Sequence, residues 1–225
     1  MITSRDNEKL KLVRKLADRR WRDKLGLFVV EGEDLVEAAH ASGIEPVELL
    51  VAGENVTTEL LASLSALPHP SRVIAVYRRE NLPAGALPVG LALWRVSDPG
   101  NVGTLIRTAD ALGPASVALS PGCADPTGPK ALRASAGAIF RVPIAPFDEA
   151  PRPRVALVAG LGTPLHELDL GESVTFVLGA EREGLPEDVV CDCEAVASIP
   201  QSGTAESLNV AIAGGIALYE QRRPK

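Results

Sequence analysis

Near the start of the chain Leu10, Val13, Leu16 and Ala17 recur at helical spacing with basic residues between them. This pattern predicts one amphipathic helix over 5–22 with a positive outer face. The apolar run from Leu27 to Val30 predicts a buried strand, and 34–42, closed by Gly43, predicts a helix. Strands are expected over 47–51 and 73–77, with a helix over 57–67 between them, which together make a small α/β unit. In 78–90 the residues Pro83, Gly85, Pro88 and Gly90 break the pattern and predict a linker. Beyond it, strand-like runs at 91–94, 116–119, 155–159 and 174–178 alternate with helical stretches at 101–112, 129–136 and 208–221. That alternation predicts a parallel sheet flanked by helices.

With 225 residues and 46% hydrophobic positions, the chain is long enough for one large or two small cores. The charged start, MITSRDNEKLKLVRK, lacks the apolar centre of a secretory signal, and no stretch approaches the ~20 apolar residues of a membrane span. A cytoplasmic protein with no membrane partner is expected. Cys123, Cys191 and Cys193 are too few and odd in number for a disulfide framework, and His40, His69 and His166 lack ligand spacing, so no metal is expected. The formal net charge of −6 speaks against a generally sticky nucleic-acid binder. Residues 1–25 run the other way, with nine basic side chains against four acidic ones. Screening acts over about 8 Å at physiological salt, so such a patch attracts phosphates even on an acidic protein. A solvated helix face accounts for the same pattern.

Three segments set polar or glycine residues against apolar structure. The first runs from Asp98 to Gly113: Asn101 is placed to cap a helix, Arg107 stands among small apolar neighbours, and Gly113 is a helix terminator. An arginine there suits bidentate contact with a phosphate or carboxylate, or simply faces solvent. The second, Leu178 to Pro186, puts Gly179 directly after a strand, where open α/β sheets bind ligands. No GxGxxG fingerprint is present, and Gly160-Leu161-Gly162 reads as an ordinary turn. The third, Ile199 to Val210, is a polar loop entering a helix rich in small residues, which requires close backbone packing; Ser207 or Thr204 is a candidate cap.

In order, N-x-G-x-x-x-R-x-A-x-x-x-G from Asn101, G-x-E-x-x-G-L from Gly179 and I-P…S-L-N-V from Ile199 resemble the three motifs of the SpoU (TrmH-like) RNA ribose methyltransferases of the SPOUT superfamily. Lys130 to Pro143 also fits, and Phe28 to Gly32 is similar to a strand of the family's recognition domain. The resemblance implies an α/β fold: a C-terminal SPOUT domain over 91–225 with a parallel sheet and a deep trefoil knot, and an N-terminal RNA-recognition domain over 1–82, similar to a ribosomal-protein fold, joined by 83–90. It implies a homodimer packed through the knotted region. It also implies methyl transfer from S-adenosylmethionine to a ribose 2′-hydroxyl, with 23S ribosomal RNA preferred over transfer RNA. A non-catalytic ribosome-assembly protein of the same fold is the alternative from another class.

Residue by residue, the resemblance puts the family's polar set on Asn101, Arg107, Glu181, Ser207 and Asn209, and its cofactor contacts on Leu178, Gly179, Ile199, Gln201 and Leu208. Arg107 is then either the proton acceptor or a phosphate clamp. A guanidinium ordinarily keeps its proton, whereas a clamp needs only its charge, and the sequence leaves both roles open. Asn101 and Asn209 orient the ribose or Arg107, Ser207 hydrogen-bonds within the site, and Glu181 holds its loop or a neighbouring chain. In this picture the basic helix docks RNA by phosphate contacts through Lys9, Arg14, Arg20 and Arg22.

Overall fold

The computed structural model describes residues 1–65, 67–202 and 207–223. The amphipathic stretch at the start is broken once, into α1 (Glu8–Leu16) and α2 (Arg19–Leu25). Asp18 makes the break: its side chain accepts from Arg20 N and starts a new helix. Arg22 secures it, donating from Nη1 to the carbonyls of Leu16 and Ala17 at the end of α1. Behind the helices, β1 (Leu27–Glu31) and β2 (Glu48–Val51) flank β3 (Val73–Arg78) in an antiparallel sheet of order β1-β3-β2. Helices α3 (Glu33–Ala41) and α4 (Thr58–Ala62) complete this unit.

The second sheet has seven strands: β4 (Val89–Leu93), β5 (Ser116–Leu119), β6 (Ile144–Pro146), β7 (Arg154–Leu157), β8 (Thr163–Pro164), β9 (Val174–Leu178) and β10 (Ala195–Ser198). Their order is β6-β5-β4-β9-β7-β10-β8, with every pairing parallel. A parallel sheet must be covered on both faces, which explains why β9 is apolar at every position but Thr175 and is buried throughout. The covering helices include α5 (Pro99–Ala111), α6 (Pro129–Ser135), α7 (Glu187–Cys191) and α8 (Val210–Arg222). Small residues let α8 approach closely. A Cβ on Gly214 would stand 2.4 Å from Leu105 Cδ2 of α5 and 3.0 Å from Leu178 Cδ1 of β9.

Several sequence expectations shift. Asp98, not Asn101, caps α5, its Oδ1 accepting from Asn101 N at 3.0 Å. Asn209 rather than Ser207 caps α8, accepting from Ala211 N at 2.8 Å and Ile212 N at 3.4 Å. The other cap candidate, Thr204, lies outside the described residues. The expected linker 83–90 ends inside β4, and Ala84 already bridges Ile144 at the sheet edge.

The two sheets share a core. Strands β1 and β3 are apolar on both faces: Val29, Ile74 and Val76 pack with α1 and α4, whereas Phe28, Val30, Ala75 and Tyr77 belong to the larger cluster around the seven-stranded sheet. Phe28, Tyr77 and Phe140 join the units, with ring centroids 5.6 to 6.4 Å apart. A buried ion pair fastens the same junction. Arg22 Nε donates to Asp125 Oδ2 at 2.8 Å, and Arg79 Nη2 donates to the same oxygen at 2.8 Å. Arg22 is 5% exposed, so the expected phosphate contact is corrected: its charge is spent inside the protein.

Candidate active site

Because the seven strands run parallel, their carboxyl ends gather on one edge, and the residues that follow β7, β9 and β10 converge there with the entry to α8. They enclose an open cleft of about 550 Å³ lined by Leu157, Val158, Ala159, Leu178, Gly179, Leu185, Ile199, Gln201, Ser207, Leu208 and Val210, among others. All five residues expected at the cofactor line this one cleft. The wall is narrow at Gly179, where a Cβ would sit 2.3 Å from Gly184 C, so the loop 179–184 folds back on itself only because no side chain intervenes.

A second, polar cleft of about 740 Å³ adjoins it, lined by Arg95, Ser97, Asp98, Asn101, Glu181, Arg182, Glu183 and Asn209. Glu181, Arg182, Glu183 and Asn209 border both clefts and mark their junction. Across that junction runs a hydrogen-bonded chain: Asn101 Nδ2 donates to Glu181 Oε1 at 2.9 Å, and Asn209 Nδ2 donates to Asn101 Oδ1 at 3.1 Å. Its polarity is set from both ends. The backbone N–H groups opening α8 claim Asn209 Oδ1, so this residue must offer its NH₂ to Asn101. An ionised carboxylate only accepts, so Asn101 must offer its own NH₂ to Glu181. At the rim, Asp98 is held below the usual carboxylate range, chiefly by its hydrogen bond from Lys130 Nζ at 2.8 Å, with burial opposing.

Four of the five polar residues therefore lie around one junction, with Ser207 on the apolar side. Arg107 does not. It is exposed, pairs with nothing among the described residues and lines neither cleft. It stands six residues beyond Asn101 on α5, about 9 Å along the helix and about 120° around it. Of the expected RNA contacts, Lys9 pairs with Glu48 at 2.6 Å and Arg14 donates to Arg5 O, while Arg20 is exposed. Beside them Trp21 has the ammonium groups of Lys15 and Lys24 within 5.5 and 5.1 Å of its ring.

Sequence reasoning missed Leu157 to Ala159, Arg95 and Arg182. The first group was legible, since it ends an apolar strand of a parallel sheet, where ligands gather. Arg95 and Arg182 carried no signal, because an isolated arginine beside a strand or turn reads as solvated surface. Among the described residues no group of three or more His, Cys, Asp or Glu is placed to hold a metal ion, and no helix is long and apolar enough to cross a membrane.

Comparison with known proteins shows the family. The SpoU rRNA Methylase family model matches residues 88–219, and that of an MRM3-like substrate binding domain matches residues 7–79. An uncharacterized tRNA/rRNA methyltransferase of Synechocystis is 32% identical over 99% of this chain and 93% of its own. The 23S rRNA (guanosine(2553)-2′-O)-methyltransferase RlmP of Bacillus subtilis is 31% identical, covering 98% of each chain. Among solved structures, an AdoMet-bound rRNA methyltransferase from Sinorhizobium meliloti superposes with a TM-score of 0.87 at 30% identity over 98% of this chain and 96% of its own. AviRb of Streptomyces viridochromogenes, in complex with AdoMet, gives 0.82 at 25% identity over 96% and 97%.

Proposed function

Since this chain belongs to the SpoU rRNA methylase family and is an S-adenosylmethionine-dependent RNA methyltransferase, we propose that it methylates a ribose 2′-hydroxyl of 23S ribosomal RNA. The observation that carries the proposal is the junction itself, an apolar cleft meeting a polar one across the Glu181–Asn101–Asn209 chain.

The apolar cleft suits the cofactor: Leu178, Ile199 and Leu208 offer contact to a flat base, and the narrow 179–184 loop brings backbone to the cleft wall without an intervening side chain at Gly179. S-adenosylmethionine supplies a methyl group on a sulfonium centre. The protein must then hold a ribose oxygen in line with that methyl and ease the loss of its proton. Asn101 and Asn209, each locked by partners of fixed polarity, orient the ribose at the junction, and Glu181 anchors both them and its loop. Ser207 hydrogen-bonds from the cofactor side.

Arg107 lies outside the cleft of its own chain, so its role as clamp for the neighbouring phosphate calls for a second copy. The outer face of α8 invites one: Ile212, Ile216 and Tyr219, spaced to share a helix face, are 54%, 37% and 60% exposed. The proposed assembly is a homodimer packed through the SPOUT domain with its trefoil knot, in which the partner's arginine completes each site.

The test is transfer of labelled methyl groups from S-adenosylmethionine to unmodified large-subunit, small-subunit and transfer RNA. Label should enter the large-subunit fraction at a 2′-oxygen, and Asn101→Ala and Arg107→Ala should each abolish it. Mixing the two inactive chains should restore activity, because one site of the mixed dimer is then intact. No label in any RNA sinks the functional proposal, and no recovery on mixing sinks the shared site.

A further inference from the structure

Just beyond the carboxyl end of β4, Arg95 adopts a φ of 53°, a left-handed conformation that residues with a Cβ rarely take. Such strain persists only where the surroundings impose it, and it gathers at functional sites. Here the backbone N–H of Arg95 donates at 2.9 Å to Ser120 Oγ, on a residue buried at the end of the neighbouring strand. The guanidinium carbon lies 6.0 Å from the centre of the Trp94 ring. The aliphatic stem rests against Gly122, where a Cβ would stand 3.3 Å from Arg95 Cγ.

So placed, Arg95 lines the polar cleft alongside Asn101, Glu181 and Asn209. It is exposed, and among the described residues it pairs with no carboxylate. None of the three carboxylates lining the same cleft forms an ion pair with it: Asp98 is paired with Lys130, Glu181 accepts from Asn101, and Glu183 makes no salt bridge to it. An unpaired guanidinium held in a defined place at a cleft mouth suits an anion arriving from outside.

The direction of arrival is also marked. The loop 120–125, which cradles Arg95, is the one on which α2 docks, with Arg19 Nη1 donating to Cys123 O at 3.2 Å and Arg22 paired to Asp125. Arg95 therefore stands between the basic helix of the first unit and the junction of the two clefts. We propose that Arg95 binds a phosphate of the RNA strand where it passes from α2 into the methyl-transfer cleft. This inference rests on the reading of the cleft as an RNA methyl-transfer site.

The experiment measures binding and methylation of unmodified 23S RNA transcript by the full chain over a range of salt, for wild type, Arg95→Gly, Arg95→Gln and Arg95→Lys. Glycine adopts the left-handed turn without penalty, so the Gly variant should melt no lower than wild type, and the Gln variant keeps most of the stem packing. In both, the slope of log affinity against log salt should shrink by roughly 0.7 to 0.9, the loss of one phosphate contact. KM for RNA should rise about tenfold, as for one charge-assisted bond, while the affinity for S-adenosylmethionine and kcat at saturating RNA stay unchanged. The Lys variant should keep the salt slope. An active wild type whose Gly and Gln variants show the same slope and KM overturns the role of Arg95 alone. So do variants whose loss lies in cofactor affinity instead. A wild type that neither binds nor methylates the transcript overturns the functional proposal together with this inference.

Discussion

At the scale of single residues, the buried junction holds one polar group that the packing does not satisfy. Tyr77 is fully buried between Phe28 and Phe140, and its hydroxyl finds no hydrogen-bond partner among the described residues. Burial, aided by the charge of Glu45, pushes its ionisation up to about 12 from 10.0. The neutral phenol is thus favoured by folding. This contribution is fully present below the ordinary value and is lost as pH rises through the raised one. Tyr77→Phe removes the unpaired hydroxyl while keeping the ring, so it should stabilise by about 1 kcal/mol and raise the melting temperature by about 2–4 °C. It should also flatten the alkaline decline in stability between 10.0 and about 12. Denaturant titrations at neutral and alkaline pH check both; a lower midpoint in the variant would show that the hydroxyl is satisfied after all.

Among the elements, α8 shows how one side chain serves fold and site together. Asn209 Oδ1 caps the helix while Nδ2 joins the chain through Asn101 to Glu181. Asn209→Asp separates the two duties. A carboxylate caps as well as an amide and favours the positive end of the helix, so stability should stay within ~0.5 kcal/mol of wild type. It has no N–H to give, and it sets a second acceptor against Asn101 Oδ1. Methyl transfer should fall by about a hundredfold, the scale of a misplaced reacting geometry. Thermal melts beside single-turnover methylation decide it, and unchanged turnover would remove Asn209 from the site. Neither duty of Asn209 was read from the sequence: the cap was expected at Ser207 or Thr204, and Asn101 lies 108 positions away with no local pattern to pair them.

For the whole molecule, the shared core packs the three-stranded and the seven-stranded sheets against each other. Asp125 receives Arg22 and Arg79 from the first unit and Thr127 from its own loop. Its burial would raise its pKa, yet the hydrogen bonds from Thr127 and Arg22 and the charge of Arg79 outweigh that and leave it lowered. A depressed carboxylate stabilises the fold above its ordinary value of 3.8 and ceases to as pH falls through the lowered one. Asp125→Ala leaves Arg22 buried without its carboxylate, so it should cost about 3–5 kcal/mol at neutral pH. The acid decline below 3.8 should be shallower than in wild type. Guanidinium melts from about pH 6 to about pH 3 measure both; equal acid slopes would show that the clamp carries no linkage.

Local pattern was enough for β5 and β9, which the apolar runs delimit to the residue, and for α5, α6 and α8 to within two residues at either end. The motif residues of the two clefts were named from their resemblance to the SpoU motifs and not from local pattern, which by itself left each of them a cap, a turn or a solvent-facing side chain. Local pattern did not suffice for β6, β8 and β10: β6 and β8 are only three and two residues long and each includes a proline, and β10, Ala195–Ser198, follows directly on the charged Asp192 and Glu194 and lacks a run of large apolar residues. Arg22 and Arg107 show the limit most clearly. Arg22 was expected to meet RNA phosphates and Arg107 to serve the site, yet one is buried against a carboxylate 103 residues away and the other stands clear of the cleft. Charge and spacing along a chain carry no record of which surface folding will cover, and that was decided only when the two sheets packed around a common core.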